Sequence, residues 1–382
     1  MKVARVRTGR RIAPWDDPVG AVHVVGVPLA ERQERAARAL GLVWVGDVDT
    51  AGTEADTLYW DDDLDVSIPA LRHFLKRARG AGQLCLTERP AGRSPLDAEP
   101  AGPVVDGEPT RLYGLRFATG GPVPVPPAGF GGTTRLPMGV DAPWFISART
   151  AVTIRHWVHV LRANLAATPV ALGDALLMAP WNLAWTWLRA PLRAGPGRLA
   201  AIGPGCDIHP TARLEACRVG RGVRIGAYTV LRGCIIGDGA IIEDHVTARG
   251  SVVEAGAHLA NYAMFNLSVL GPGSSIGHIG GQACVLGSRS FVASFAILQD
   301  LSFGGNVRVR VGAELVDSGT PFLGVAVGHD VRLASTLVVP PGREVPNGVE
   351  LHVDPEFRVG SLPAELPPGR YVVRQRLVEP LR

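Results

Sequence analysis

The sequence predicts a two-domain protein, an α/β layer followed by a parallel β-helix, and three observations carry that reading. Four-residue segments recur 17 residues apart: IGPG from Ile202, VGRG from Val219, IGDG from Ile236, VEAG from Val253 and LGPG from Leu270. Between residues 21 and 86, apolar strand-like runs alternate with helix-like stretches. The 47 Gly and 31 Pro among 382 residues are too many breakers for an all-helical chain, while 46% hydrophobic residues suffice for a packed core and argue against disorder.

The repeat defines the second half. A second ladder, Ile208, Ile225, Ile242, Leu259 and Ile276, keeps the 17-residue step, as does a weaker third, Leu214, Leu231, Ala248 and Phe265. Steps of 6, 6 and 5 residues therefore close one turn of three short faces. Small residues precede the aliphatic corners: Cys217, Cys234, Ser251 and Ser268 before the first ladder, Cys206, Val223, Ala240, Ala257 and Ser274 before the second. This is the hexapeptide repeat of a parallel β-helix, in which like residues of stacked coils form a continuous core. The register runs to about Leu298, breaks over residues 299 to 322 and resumes from about Leu323 to Val345. An insertion of that size is expected as a loop on one face, often the working face. Cys206, Cys217 and Cys234 read as interior filler, the alternative being a reactive or metal-bound thiol.

In the first half, AVHVVGV, LVWVGDV, TLYW and QLCLT read as strands, with helices over PLAERQERAARALG and SIPALRHFLKRARGAG. That order indicates an α/β layer with a parallel sheet. Residues 90 to 135 read as loops and edge strands, and a helix is clear around IRHWVHVLRANLAA. The domains are thus 1–140 (α/β), 141–198 (helical connector), 199–355 (β-helix) and 356–382 (tail).

Charge and cysteine usage narrow the function classes. Only Lys2 and Lys76 are lysine, the other 37 basic residues being Arg, and the net charge is +4. No basic run is interleaved with aromatics, so nucleic acid is not an expected partner. Five cysteines without CxxC spacing suggest neither a disulfide framework nor a zinc knuckle, and read as reduced thiols in a cytoplasmic protein. The start MKVARVRTGRR lacks the apolar segment of a secretory signal. The longest apolar stretch, Val170 to Leu192, is broken by Gly173, Asp174, Pro180, Asn182, Arg189 and Pro191, so no membrane span is expected. Its Trp181, Trp185 and Trp187 either pack against the neighbouring domain or lie at a bilayer interface.

VVGVPLAERQERAARALG resembles the segment after the glycine-rich loop of sugar-phosphate nucleotidyltransferases, and LYWDDDLDVSIPALRHFL their metal-aspartate strand and following helix. The resemblance implies that Asp61 binds the magnesium that neutralises nucleotide phosphate. The glycine-rich loop falls on ARVRTGRRIAPWDDPVG, which keeps only Gly9 and Gly20, and Asp61, Asp62, Asp63 and Asp65 also read as a solvated strand end.

Over about residues 200 to 345, the chain resembles the acetyltransferase domain of bifunctional N-acetylglucosamine-1-phosphate uridyltransferases. Three segments carry this: EAGAHLANYAMF, SSIGHIGGQACVLG and LQDLSFGGNVRVRVGAELVDSGTPFLGVAVG. The resemblance implies a left-handed β-helix, a homotrimer with its site between subunits, and acetyl-CoA or another acyl-CoA along the coils. A sugar phosphate or nucleotide sugar would be the acceptor. His278 matches the general base that deprotonates the sugar amine, a task suited to imidazole at cellular pH. Arg249 is the counterpart of a phosphate-gripping arginine, one residue out of register, and Asn261 falls in the coil that contacts substrate. The family's asparagine of the insertion falls on Asp300, its tyrosine after the histidine on Gly281, and a phosphate lysine at or near Asn266. The other histidines of the solenoid, His209, His245, His258 and His329, share no spacing, so no three-histidine zinc site is expected. The leading expectation is a sugar-nucleotide or sugar-phosphate N-acyltransferase. Its rivals are a non-catalytic trimeric scaffold or sugar-nucleotide sensor, and a nucleotidyltransferase working at Asp61.

Overall fold

The structure is a computed structural model that describes residues 1–87, 94–97, 99–135, 141–177, 199–354, 356, 371–374 and 377–380. Trp181, Trp185 and Trp187 lie outside the described residues.

The first half builds a six-stranded sheet from β1 (Lys2–Val6), β2 (Val43–Val48), β3 (Thr57–Asp61), β4 (Gln83–Thr87), β5 (Thr110–Arg116) and β6 (Pro122–Val125), in the order β6-β4-β5-β3-β1-β2. Strands β2, β1 and β3 run parallel, whereas β5 is antiparallel to both β3 and β4. Helices α1 (Leu29–Ala39) and α2 (Ile68–Ala78) bury Ala36, Ala37, Leu71 and Phe74 in the core of this sheet. Ser67 caps α2 by accepting the Ala70 N–H, and Arg79 ends it in the left-handed region, the two local devices that fix its length.

Three expectations change here, the first being that β5, from a stretch read as loops and edge strands, lies inside the sheet and antiparallel to both its neighbours. Strand β1 takes up the start of ARVRTGRRIAPWDDPVG, where the resemblance placed a glycine-rich loop; its central Arg5 guanidinium is buried, donates to Gln33, Glu34 and Asp47, and lies 4.7 Å over the Trp44 ring. AVHVVGV, expected as a sheet strand, instead forms a two-residue hairpin in which His23–Val24 pairs with Val27–Pro28. Val25 and Gly26 both take positive φ, which reverses the chain and sends Val22, Val24 and Val25 into a core shared with the second half.

From Leu199 the chain winds as the repeat predicts. Leu214, Leu231, Ala248 and Phe265 stack on one face, Ile225, Ile242, Leu259 and Ile276 on another, and Val219, Ile236, Val253 and Leu270 on the third, all in parallel register. Their side chains are fully buried in a single continuous core. Cys217 and Cys234 are part of it as expected of filler, Cys206 packs against it only partly buried, and Cys284 joins it, its thiol pushed up to about 12 by burial.

One face of the solenoid is apolar outside as well as inside. Its outward residues Ile235, Val252, Val269 and Val285 pack against α3 (Trp157–Leu177) and the segment around Ile12, Trp15 and Val19. The insertion is recruited to the same junction. Val285–Leu286 pairs with Ala326–Val327 and Ile297–Leu298 with Val338–Val339, so the chain leaves one coil and re-enters in register. Between them Arg308–Val311 and Glu314–Asp317 form a hairpin whose Val307 and Val309 are buried beside α3. Hydrogen bonds from His156 to Arg310 O, from Arg162 to Ser318 O and from Ser94 to Asp317 O hold it there. Among the described residues no helix is long and apolar enough to cross a membrane.

Candidate functional site

Each coil passes from the face of Ile225 to that of Leu231 through a corner at positive φ, occupied by Tyr228, His245, Tyr262 and Phe295. The corner side chains stack outside the solenoid. Ring centroids follow at 5.2 Å from Tyr228 to His245, 4.8 Å to Tyr262, 5.9 Å to His278 and 5.5 Å to Phe295. His278 belongs to this column although its backbone does not take the positive φ, which falls on Ile279. The reason is a coil one residue short: Ile276 pairs with Val292 and Phe265 with Gly281, each 16 residues on. The shortening also hid the relation between His245 and His278 in the sequence. His278 Nδ1 lies 3.1 Å from Ser294 Oγ, while Nε2 has no hydrogen bond among the described residues. A proton on Nδ1 donated to Ser294 leaves the Nε2 lone pair facing outward, the form a general base requires.

The adjoining face carries a polar column: Arg232, Arg249, Asn266 and Gln282 on successive coils. Arg232 is paired with Glu215 at 2.6 Å, and Asn266 donates to Gln282 at 3.1 Å. Arg249 is exposed and its guanidinium has no partner among the described residues, so it is free to meet an anion. Asn261 is differently employed. Its Oδ1 accepts the Asp244 N–H at 3.0 Å, as Asp244 accepts from Ala227 and Asp238 from Arg221, which makes it a coil-to-coil cap whose amide nitrogen remains available. Asp300 stands half-buried at the root of the insertion, where burial raises its carboxyl above the usual range.

Magnesium at Asp61 gains no support. Asp61 is held by Arg116 Nη1 at 3.1 Å, Asp62 by the Thr8 N–H and hydroxyl, and Asp63 by Arg10 Nε at 3.2 Å. Burial pushes Asp63 up to about 6 in spite of Arg10 and Arg155. The three carboxylates are thus committed to different partners within the chain. Among the described residues no group of three or more His, Cys, Asp or Glu could hold a metal ion.

The sequence reading missed a cavity between the domains, lined by Trp15, Asp17, His23, Glu254, Ser288 and His329. Two imidazole–carboxylate pairs cross it in opposite senses. His23 of the first half bonds Glu254 of the solenoid through Nδ1, and His329 of the solenoid bonds Asp17 of the first half, Nε2 to Oδ2, at 3.0 Å. Since His329 Nδ1 accepts the Ser288 N–H, its proton must sit on Nε2 and be donated to Asp17. Trp15 adds a hydrogen bond to Val327 O, and Asn347 one to Trp15 O. Hydrogen bonding to Glu254 raises the His23 pKa, favouring an imidazolium that compensates a carboxylate only 3% exposed. A signal for this site did exist. Glu254 interrupts a rung of Gly203, Gly220, Gly237, Gly271, Gly287 and Gly328, where a Cβ on Gly237 would lie 2.5 Å from Ala255 N and one on Gly271 2.6 Å from Gly287 O.

No family model matches the chain, and no curated protein matches it. Among solved structures, a GDP-perosamine N-acetyltransferase from Caulobacter crescentus, a histidine-to-alanine variant in complex with CoA and GDP-perosamine, aligns over 92% of this chain and 92% of its own. The identity is 15% and the TM-score 0.18.

Proposed function

We propose that the protein is a sugar N-acyltransferase that moves an acyl group from acyl-CoA to the amine of a phosphorylated or nucleotide-linked sugar. The observation that carries this reading is His278: an oriented imidazole with a free Nε2, bracketed by Tyr262 and Phe295, one coil before the insertion. Nε2 takes the amine proton as nitrogen attacks the thioester carbonyl; the C–N bond forms, the C–S bond breaks and the thiolate is protonated. Arg249 grips the phosphate, while the Asn261 amide and Asp300 contact the sugar. With two lysines, both far from the solenoid in sequence, the phosphate is held by arginine.

The working form is a homotrimer. Tyr228, Tyr262, Phe295 and Ile297 are all exposed on the corner column and the face that follows it, an apolar band suited to a second copy of the chain. The test is acyl-CoA turnover on a panel of amino-sugar phosphates and nucleotides. His278→Ala is expected to reduce kcat by about 100-fold or more, and unchanged transfer rejects the assignment. The rival reading, a non-catalytic scaffold, is favoured by Gly281 and Asn266 where the resembling family has its tyrosine and lysine. It predicts no heat of acyl-CoA binding in calorimetry.

A further inference from the structure

We infer that Ser275 is an acyl-accepting nucleophile, activated by His258 and Glu243 on the solenoid face next to the His278 corner. The inference takes its substrate class, thioesters and activated esters, from the acyl-transfer reading. Outward residues of this face form the column Asp207, Arg224, Ile241, His258, Ser275 and Phe291. Ser275 Oγ lies 3.1 Å from His258 Nδ1, and His258 Nε2 lies 2.8 Å from Glu243 Oε1. The other carboxylate oxygen of Glu243 accepts the Asn261 N–H at 2.9 Å, which anchors the array at its far end.

The protonation pattern follows from the partners. A carboxylate only accepts, so the imidazole proton sits on Nε2, and the Nδ1 lone pair is left for the serine hydroxyl. Hydroxyl, base and orienting carboxylate in series, each within hydrogen-bond reach, is the arrangement that activates a nucleophile. His258 and Glu243 stay reachable at 33% and 34% exposed, and Ser275 is half-buried beside them. The rungs on either side, Ile241 and Phe291, are exposed and apolar, a surface fit for an acyl chain.

The step balances without a further reactant. Ser275 Oγ attacks the thioester carbonyl, its proton passes to His258 Nδ1, and the C–S bond breaks; the imidazolium, steadied by Glu243, protonates the leaving thiolate. An amine then attacks the acyl ester: the C–N bond forms, the C–Oγ bond breaks, and serine recovers a proton from the amine. Ser275 lies three residues before His278 on the same coil, on the face that leads into the corner of the proposed amine base. The Ser275 and Gly277 N–H groups are spent on Ser290 O and Val292 O, leaving neither as an oxyanion donor. A missing donor costs about 100- to 1000-fold, so a slow stoichiometric acylation is expected.

The experiment incubates the full chain with p-nitrophenyl acetate, and separately with acetyl-CoA without acceptor, and maps the adduct by peptide mass spectrometry. One acetyl group on Ser275 is expected from both. Ser275→Ala should abolish it, Ser275→Cys should restore an adduct, and His258→Ala should slow it by about 100-fold. Glu243→Gln should displace the inflection of the acetylation pH profile, which loss of a merely structural contact would not do. No acetyl on Ser275 from p-nitrophenyl acetate, or labelling indifferent to His258→Ala, overturns the inference. Labelling by the ester but not by acetyl-CoA upholds the relay and counts against the acyl-CoA reading. Acyl-CoA turnover without an adduct on Ser275 overturns the relay and leaves direct transfer at His278 intact.

Discussion

Cutting the His23–Glu254 pair from its two sides should have unequal cost. His23→Ala strands a carboxylate that is 3% exposed, and one-sided removal of a buried pair costs about 3–5 kcal/mol. Glu254→Gln removes the charge and keeps an amide able to bond, so it loses a charge-assisted hydrogen bond of about 1.5–3 kcal/mol. The imidazole is one-third exposed, which admits water and favours the lower end of each range, about 3 against about 1.5 kcal/mol. The double variant should be less destabilised than the two singles together, since it no longer buries an unpaired charge. The pair also carries a pH signature. The folded His23 pKa lies above its reference value of 6.5, so its contribution is complete below that value and is lost as pH rises through the raised one. Urea unfolding followed by circular dichroism at about pH 5.5 and about pH 8.5 reads both effects. Glu254→Gln should lose most relative to wild type on the acid side. A His23→Ala variant as stable as Glu254→Gln, or a wild-type advantage that does not shrink with rising pH, refutes the reasoning.

Asp63 runs in the same sense as His23, against the usual behaviour of a carboxylate: its folded value of about 6 exceeds 3.8, so its contribution is complete below 3.8 and lost as pH climbs through 6. Asp63→Asn should therefore stabilise the protein at neutral pH by about 3 kcal/mol and have little effect near pH 3; destabilisation in neutral denaturation curves contradicts this. Gly271→Ala drives a Cβ to 2.6 Å from Gly287 O and should cost about 1–3 kcal/mol, whereas Gly304→Ala meets nothing within 4 Å and should change the unfolding midpoint negligibly.

The solenoid was legible because every coil repeats the same burial problem, so Ile225, Ile242, Leu259 and Ile276 declare their common face by spacing alone. The first half repeats nothing, and its errors follow from that. A strand with Arg5 in its middle does not look like one until Gln33, Glu34 and Asp47 are brought around it. The valines of AVHVVGV have strand chemistry but no sheet partner, because their apolar surface is used against α3 and the solenoid. His278 was found through resemblance, yet its place in the column of Tyr228, His245 and Tyr262 was hidden because one coil is a residue short. His23 and Glu254 are 231 residues apart, and only the break in the glycine column could have pointed to one of them.

The shared core constrains the order in which the polypeptide can mature. Trp15 donates to Val327 O, 312 residues later, so its indole N–H is satisfied only once that coil exists, while Ile12 and Trp15 share their core with α3 and the earlier coils. At a synthesis rate of roughly 5–20 residues per second, the ribosome needs roughly 15–60 s to make that stretch. The early sheet can close as it emerges, but its sticky underside must wait for the last turns of the screw. Vectorial folding from the amino end is therefore incomplete by design of the topology, and a chain stalled before Ile235 presents Ile12, Trp15 and Val19 without the solenoid face they pack against.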